Sequence, residues 1–335
     1  MTSTHSPQRD ASFDAVKGML VLLMVVYHVL SITTNAGFEG FRYLRFVSGS
    51  FIFISGFVAV RFMWDRFSQA PVKTSRRLVG RGVKVLLIFT ALNLAIHASG
   101  FGNAAKEQLG IDGFARHAAA LYVAGDGRLS SFLILLPIGY LLILAPLYLA
   151  MAMRNPRLVP AGLLLACLAI GIGNTSPSAV TEFLLIGGCG LCLGTPVWAH
   201  RVFAPIRLPA FVILLSLALA LWLAGRYGSP LALYIVGVVF VLKFVIDAVR
   251  LAPPAAWWFR NVVLIGQYSL MAYVAQIALI QLAFKAAGSP RAEPGLTTLV
   301  FIVIVVAACL LGCLAMQRLR RRAPLVDRAY RMVFA

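Results

Sequence analysis

The sequence is poor in charged residues, and acidic residues are the scarcest of them. Only 12% of its 335 residues are charged, and Asp and Glu number 11 against 30 Lys and Arg. Apolar residues make up 61% of the chain, and its mean hydropathy is +0.89. A soluble protein of this length could not bury so much apolar surface. The composition therefore excludes an ordinary soluble enzyme and predicts a protein whose solvent is the lipid bilayer.

Cysteine is scarce too, and its distribution excludes a disulfide framework. All five cysteines fall within apolar runs: Cys167, Cys189, Cys192, Cys309 and Cys313. The spacing of Cys189 and Cys192 resembles that of metal ligands, but the sequence has no second pair and no nearby His. We therefore interpret the cysteines as small packing residues and expect no metal.

The N-terminus lacks the short apolar core and the small-residue cleavage site of a signal peptide. Residues 1–12 are polar and the first apolar run is full length, so we expect an uncleaved first helix. A net charge of +19 could indicate nucleic-acid binding. The basic residues, however, lie next to apolar segments, as the positive-inside rule requires, and we expect no nucleic-acid partner.

Apolar segments of membrane-spanning length recur along the chain. Because roughly 20 apolar residues cross the hydrocarbon core, we predict ten spans, at 15–34, 44–63, 82–99, 130–152, 158–174, 180–198, 209–225, 230–249, 261–285 and 297–317. An even number places both termini on one side. With that side cytoplasmic, 22 of the 30 basic residues lie inside and eight outside. We therefore predict an all-α, polytopic integral membrane protein, N-in/C-in.

These spans define one transmembrane domain over residues 1–335. Residues 1–13 are expected to form a cytoplasmic N-terminal segment, and residues 318–335 a basic cytoplasmic tail. The sequence itself indicates no oligomeric state.

The first predicted helix carries two ionisable residues on one face. Lys17 and His28 are eleven positions apart, which brings the chain back to about 20° from its starting face and roughly 16 Å further along the axis. Ionisable groups at membrane depth are costly and usually functional. The alternatives are that Lys17 only reaches the lipid headgroups and that His28 packs against a neighbouring helix.

This stretch resembles the opening motif of the acyltransferase type 3 family, membrane enzymes that move acyl groups onto sugars and other envelope acceptors. The family has a Leu-Asp-Gly-Leu-Arg-Gly-like segment and then an apolar run ending in His, with ten residues between Arg and His. Residues 13–18 and the pair Tyr27-His28 match this pattern with the spacing intact. Lys17 replaces the Arg, which keeps the charge but not the planar bidentate fork.

Three further stretches are similar to family motifs. Ile54-Ser55-Gly56-Phe57 matches the core of a Phe-Phe-x-x-Ser-Gly-Phe signature, although small residues also suit close helix packing. Residues 264–276 are similar to a late Leu-Gly-x-x-Ser-x-x-x-Tyr-x-x-His motif, with Gln276 in place of the His. A basic loop before the third span corresponds to an Arg-rich family motif and contains Lys73, Arg76, Arg77, Arg81 and Lys84.

The resemblance implies an O-acyltransferase of the inner membrane. An acetyl or succinyl group would pass from a cytoplasmic acyl-coenzyme A to a hydroxyl of an envelope glycan or glycolipid, and the branch that succinylates periplasmic glucans fits the same residues. No permanently bound cofactor is expected. The donor phosphates would lie near five cations: Lys17, Arg76, Arg77, Arg81 and Lys84. Topology enforcement and contact with anionic lipid are the alternative interpretation of the basic loop.

Neutral imidazole suits general-base chemistry near physiological pH, so His28 is the expected base, with a covalent acyl-histidine as the alternative. The other predicted catalytic residues are Asp14 and Glu182; Glu182 either orients the acceptor or His28, or simply faces water. The predicted substrate-binding residues come from the motifs and from the outer segment 100–129: Tyr27, Ser55, Asp126, Arg128, Tyr273 and Gln276.

Two other functions stay open. A transporter or a lipid or acyl carrier would use the same helices without acyl-transfer chemistry. Transporters often consist of two halves with matching broken helices, and the sequence has no internal repeat. A family member that has lost activity and acts as a partner or scaffold is the third possibility, suggested by Lys17 and Gln276.

Overall fold

The computed structural model describes residues 11–34, 44, 46–99, 110–124, 132–173, 178–202, 204, 231–251, 256–286, 288 and 294–334. These residues form helices and no β-strand, which confirms the all-α class. The α-helices are α1 Ala11–Thr33, α2 Phe46–Arg61, α3 Trp64–Gln69, α4 Pro71–Ser99, α5 Gly110–Ala119, α6 Leu135–Arg154, α7 Leu158–Gly173, α8 Ala179–Leu193, α9 Pro196–Val202, α10 Leu231–Leu251, α11 Trp257–Gln267, α12 Ser269–Ala286, α13 Leu296–Arg322 and α14 Pro324–Phe334. A π-helical turn, Ala120–Ala124, continues α5.

Six stretches of the described chain are long and apolar enough to cross a membrane: α1, α2 together with α3, α4, α6, α12 and α13. The pair α8 and α9, bent by 95°, makes a seventh if it counts as one broken span. The chain is therefore a multi-pass membrane protein. Helices α7 and α10 occupy the predicted fifth and eighth segments, whereas 209–225 lies outside the described residues. A total of about ten spans and the N-in/C-in orientation stay predictions.

The structure corrects two predicted boundaries. The basic segment before the third span is not a loop, because α4 begins at Pro71 and its first half carries those residues. Proline suits the first helical position, where its fixed φ is helical and its missing N–H is not needed. The predicted ninth segment is not one helix, because the chain turns at Tyr268 between α11 and α12.

The closest helix pairs pack through glycines. The most extensive contacts in the described chain join α1 to α11, α2 to α8 and α4 to α6. A Cβ on Gly266 of α11 would overlap the carbonyl oxygen of Asp14, and a Cβ on Gly18 of α1 would overlap the carbonyl oxygen of Val262. Small residues allow such close backbone approach in lipid, where helix association relies on van der Waals packing.

Helix α1 has a central position in the bundle. It packs against α2, α10, α11, α12 and α13, and its residues Val16, Leu20 and Met24 are almost completely buried. Helices from both halves of the chain therefore pack against the helix that carries Lys17 and His28.

Candidate active site

A cavity of about 580 Å³ lies beside the first turns of α1. Helices α1, α2, α3, α4, α6, α11, α12, α13 and α14 contribute to its wall. Six of the described lining residues are basic and one, Asp14, is acidic. The basic residues are Lys17, Arg66, Arg77, Arg81, Lys84 and Arg320. We refer to this space as the basic cavity.

Asp14 holds Lys17 in the cavity wall. Lys17 Nζ lies 2.8 Å from Asp14 Oδ1, one helical turn away, and Asp14 is buried. The helix separates Asp14 from His28 by about 21 Å, since each residue advances the axis by roughly 1.5 Å. Asp14 is therefore too far from His28 to contact it directly, and its position suits orientation of the Lys17 ammonium.

One face of α4 supplies three of the cavity's cations. Arg77, Arg81 and Lys84 follow each other at four and three positions, which places them on the same side of a helix. Arg76 is exposed and does not line the cavity, and neither does Lys73. The structure thus brings Lys17 together with three of the four predicted phosphate-binding residues of α4.

His28 lies further along α1 among aromatic rings. Its ring centroid is 5.3 Å from that of Tyr27 and 6.3 Å from that of Tyr273. Tyr273 is buried, and its ring lies 6.4 Å from Phe51 and 6.0 Å from Phe132. Phe51 also lines the basic cavity. A continuous series of ring contacts therefore leads from the cavity wall through Tyr273 to His28.

Gln276 follows Tyr273 by one turn of α12. It is fully buried, and neither its Nε2 nor its Oε1 has a hydrogen-bond partner in the described structure. Leaving buried polar groups unpaired costs roughly 1–3 kcal/mol each, and native proteins seldom do so without a reason. A primary amide in this position can donate to a carbonyl oxygen or accept from a hydroxyl.

The remaining predicted residues are dispersed. Ser55 lines the basic cavity and donates its hydroxyl to the Phe51 carbonyl oxygen at 2.7 Å. Glu182 lies half-buried in the first turn of α8 and does not line the cavity. Asp126 and Arg128 lie outside the described residues.

Sequence reasoning did not single out Arg66 and Arg320 as members of the site. Both were counted only as topology-determining charges, and no local pattern distinguishes Arg320 from its basic neighbours at 318–322. Packing of α13 and α14 beside α1 and α4 brings Arg320 to the cavity. Arg320 therefore reaches the cavity through the packing of distant helices, which its local sequence does not reveal.

The described residues contain no group of three or more His, Cys, Asp or Glu that could hold a metal ion. All five cysteines are buried and free, in keeping with a packing role. The described site residues offer cations, the Asp14 carboxylate, the His28 imidazole, the Gln276 amide and hydroxyl groups.

The fold and site define a multi-pass helical membrane protein in which a polycationic cavity lies beside the helix that also carries a histidine within the bundle. The chain belongs to the acyltransferase type 3 family, because a family model described as an acyltransferase domain matches residues 10–318. The resemblance of the motifs is thereby confirmed, and the protein is a membrane acyltransferase. No curated protein and no solved structure matches the chain significantly.

Proposed function

We propose that the protein is an O-acyltransferase of the inner membrane that moves an acyl group, acetyl or succinyl, from acyl-coenzyme A to a hydroxyl of an envelope glycan or glycolipid. The observation that carries this proposal is the basic cavity, which gathers six cations around one acidic group. The diphosphate and the ribose phosphate of coenzyme A need several cations in one place, and arginine offers bidentate hydrogen bonds to phosphate.

We infer the direction of the rest of the donor from the aromatic rings, because Phe51 lines the cavity and Tyr273 contacts both Phe51 and His28. With its phosphates among Lys17, Arg77 and Arg81, the pantetheine arm would extend past Phe51 and bring the thioester toward His28. The distance between Lys17 and His28 along α1, roughly 16 Å, suits an extended arm of this kind. The acceptor hydroxyl would reach His28 from the opposite end of the bundle.

The proposed reaction transfers the acyl group directly. Neutral His28 accepts the proton of the acceptor hydroxyl while its oxygen attacks the thioester carbonyl carbon. The tetrahedral intermediate then breaks its C–S bond, and the departing thiolate takes the proton from the imidazolium. An ester, free coenzyme A and neutral histidine result, so protons and charge balance.

Neighbouring residues have supporting roles in this proposal. Tyr27 and Tyr273 pack against the His28 ring and limit its orientation. Gln276 would donate its amide to the thioester carbonyl oxygen, which gives its unpaired Nε2 a partner when substrate is bound. Ser55 contributes to the donor side. The acceptor side would include Glu182, Asp126 and Arg128.

The orientation of the chain is a testable part of the proposal, because the donor is cytoplasmic. We expect the basic cavity and both termini to face the cytoplasm. Fusions of alkaline phosphatase and of a fluorescent protein at Ala335 and within residues 100–129 should report opposite sides, with phosphatase active only in the 100–129 fusion. Phosphatase activity at Ala335 would contradict the orientation.

The double variant with Gln at both Arg77 and Arg81 is expected to raise the Kd for coenzyme A by about tenfold or more. Each charged hydrogen bond that is lost costs roughly 1.5–3 kcal/mol. The difference from wild type should shrink at high salt, which screens partly exposed charges. Titration calorimetry on the purified protein in nanodiscs measures both effects.

The matched control is the pair Lys73→Gln and Arg76→Gln. These two exposed cations also belong to α4 but do not line the basic cavity. This control removes the same charge from the same helix and should leave the Kd within about twofold, because neither residue lines the basic cavity. Equal affinities for the two double variants would leave the α4 cluster with a role in topology or lipid contact only.

A further inference from the structure

The C-terminal helix α14 forms one wall of the basic cavity, although it lies beyond the matched acyltransferase domain, which ends at residue 318. Tyr330, Val333 and Phe334 line the cavity from this helix. Tyr330 is 9% exposed, and its ring centroid lies 5.2 Å from that of Phe334 and 5.3 Å from that of Tyr268. The tail is therefore a packed part of the cavity and more than a basic anchor.

Arg320 is held by two residues of this helix and by Tyr268. Its Nε donates to Asp327 Oδ1 at 2.7 Å, and its Nη2 lies 2.7 Å from the same oxygen. Its Nη1 donates to Tyr268 Oη at 3.2 Å, and the guanidinium carbon lies 4.2 Å from the Tyr330 ring centroid. These contacts engage three of the five N–H groups of a guanidinium, which leaves two for a ligand.

Asp327 and Lys84 connect α14 to its surroundings. The hydrogen bond from Arg320 is the main reason that the pKa of Asp327 lies below its ordinary value, and Arg331 also pairs with this carboxylate, at 2.6 Å. Lys84 Nζ donates to the Arg331 carbonyl oxygen at 3.3 Å, which links α14 to α4. The helix thus spans from one cation-bearing side of the cavity to the other.

We propose that α14 is a donor-binding element that holds Arg320 ready for the phosphates of a nucleotide thioester while Val333 and Phe334 cover the cavity. The inference rests on the proposed function, since it needs acyl-coenzyme A in the basic cavity. An arginine whose rotamer is already fixed loses less conformational entropy when it binds phosphate. Asp327 and Tyr330 are positioning residues in this arrangement.

An inhibitory role for α14 predicts the opposite change in the affinity for coenzyme A. If Asp327 withheld Arg320 from phosphate, α14 would inhibit donor binding, and loss of the carboxylate would strengthen it. Coulomb attraction alone also predicts stronger binding, because removing a carboxylate near an anion site favours the bound anion. Only a positioning role predicts that loss of this negative charge weakens the binding of an anion.

The decisive variant is Asp327→Asn in the full-length protein. We expect its Kd for coenzyme A to rise about tenfold, the lower end of the effect of losing a charged hydrogen bond, with the Kd for phosphate-free pantetheine unchanged. In turnover with acyl-coenzyme A, KM should rise while kcat stays the same. Asp327→Glu, which keeps the carboxylate, should recover most of the affinity, and Tyr330→Leu should weaken coenzyme A binding like Asp327→Asn.

Asp65→Asn is the matched control, because it makes the same charge change at an exposed residue of α3 that does not line the cavity. Its Kd should equal that of wild type or be slightly lower. A Kd for Asp327→Asn at or below the wild-type value would overturn the role of α14 while leaving the donor site intact. Failure of the wild-type protein to bind coenzyme A more tightly than pantetheine would overturn both the proposed donor and this inference.

Discussion

His28→Ala is expected to lower the rate of acyl transfer by about a hundredfold to ten-thousandfold, the range that loss of a general base produces. The variant should still insert, fold and bind coenzyme A. The His28 ring packs against Tyr27 and Tyr273 but does not line the basic cavity, so the proposed phosphate contacts of the donor do not involve it. The measurement is transfer of radiolabelled acyl groups from acyl-coenzyme A in purified membranes, with coenzyme A affinity determined separately.

Lys17→Arg is the companion variant for His28→Ala. It keeps the cation that pairs with Asp14 and adds the bidentate fork that the family motif has at this position. Activity should therefore be retained or increased. Near-normal acyl transfer by His28→Ala would refute the proposed mechanism whatever the behaviour of Lys17→Arg.

The carrier hypothesis predicts another pattern for the same variants. A protein that only moves a lipid or an acyl compound would show no acyl turnover in its wild-type form, and His28→Ala would reduce transport only modestly. A covalent acyl-histidine would instead make the loss in His28→Ala larger than the general-base range, and acyl groups would be trapped on the wild-type protein in the absence of acceptor. The one substitution therefore distinguishes three mechanisms.

The parts of the site that the sequence predicts are those that follow helical periodicity. Lys17 and His28 share a face of α1, and Arg77, Arg81 and Lys84 share a face of α4, because both relations depend only on the rotation per residue. Apolar length likewise locates the long helices. These properties are local, and a single sequence is enough to determine them.

The parts that the sequence does not predict depend on which helices become neighbours. Arg320 joins residues of α4 across more than 200 positions of sequence, and its orientation is fixed by Asp327 and Tyr330 in a segment without a recognised motif. The isolation of the Gln276 amide is also a tertiary property, since it results from the surroundings of α12 and not from its sequence. The break at Tyr268 is missed for a different reason: the prediction follows the apolar residues that dominate 261–285 and gives too little weight to Gly266, Gln267 and Ser269, which surround the turn.

Gly266→Ala is expected to destabilise the protein and to weaken donor binding together. The new methyl group would overlap the carbonyl oxygen of Asp14 and lie 2.9 Å from the amide nitrogen of Gly18. Both are main-chain atoms, so no change of rotamer can relieve the overlap and α1 must move away from α11. Overpacking costs about 1–3 kcal/mol and occasionally more, which corresponds to a thermal midpoint lower by roughly 1.5–4 °C for a chain of this length.

The loss of function in Gly266→Ala follows from what α1 carries. Displacement at Asp14 and Gly18 moves Lys17 relative to the cations of α4, so the Kd for coenzyme A should rise along with the fall in thermal midpoint. Gly312→Ala is the matched control, because Gly312 lies in α13 and a Cβ there would meet no atom within 4 Å. That variant gains helix propensity of about 1 kcal/mol and should melt at the wild-type temperature or slightly above. If Gly266→Ala has the same thermal midpoint and the same Kd for coenzyme A as Gly312→Ala, the close contact between α1 and α11 does not set the geometry of the basic cavity.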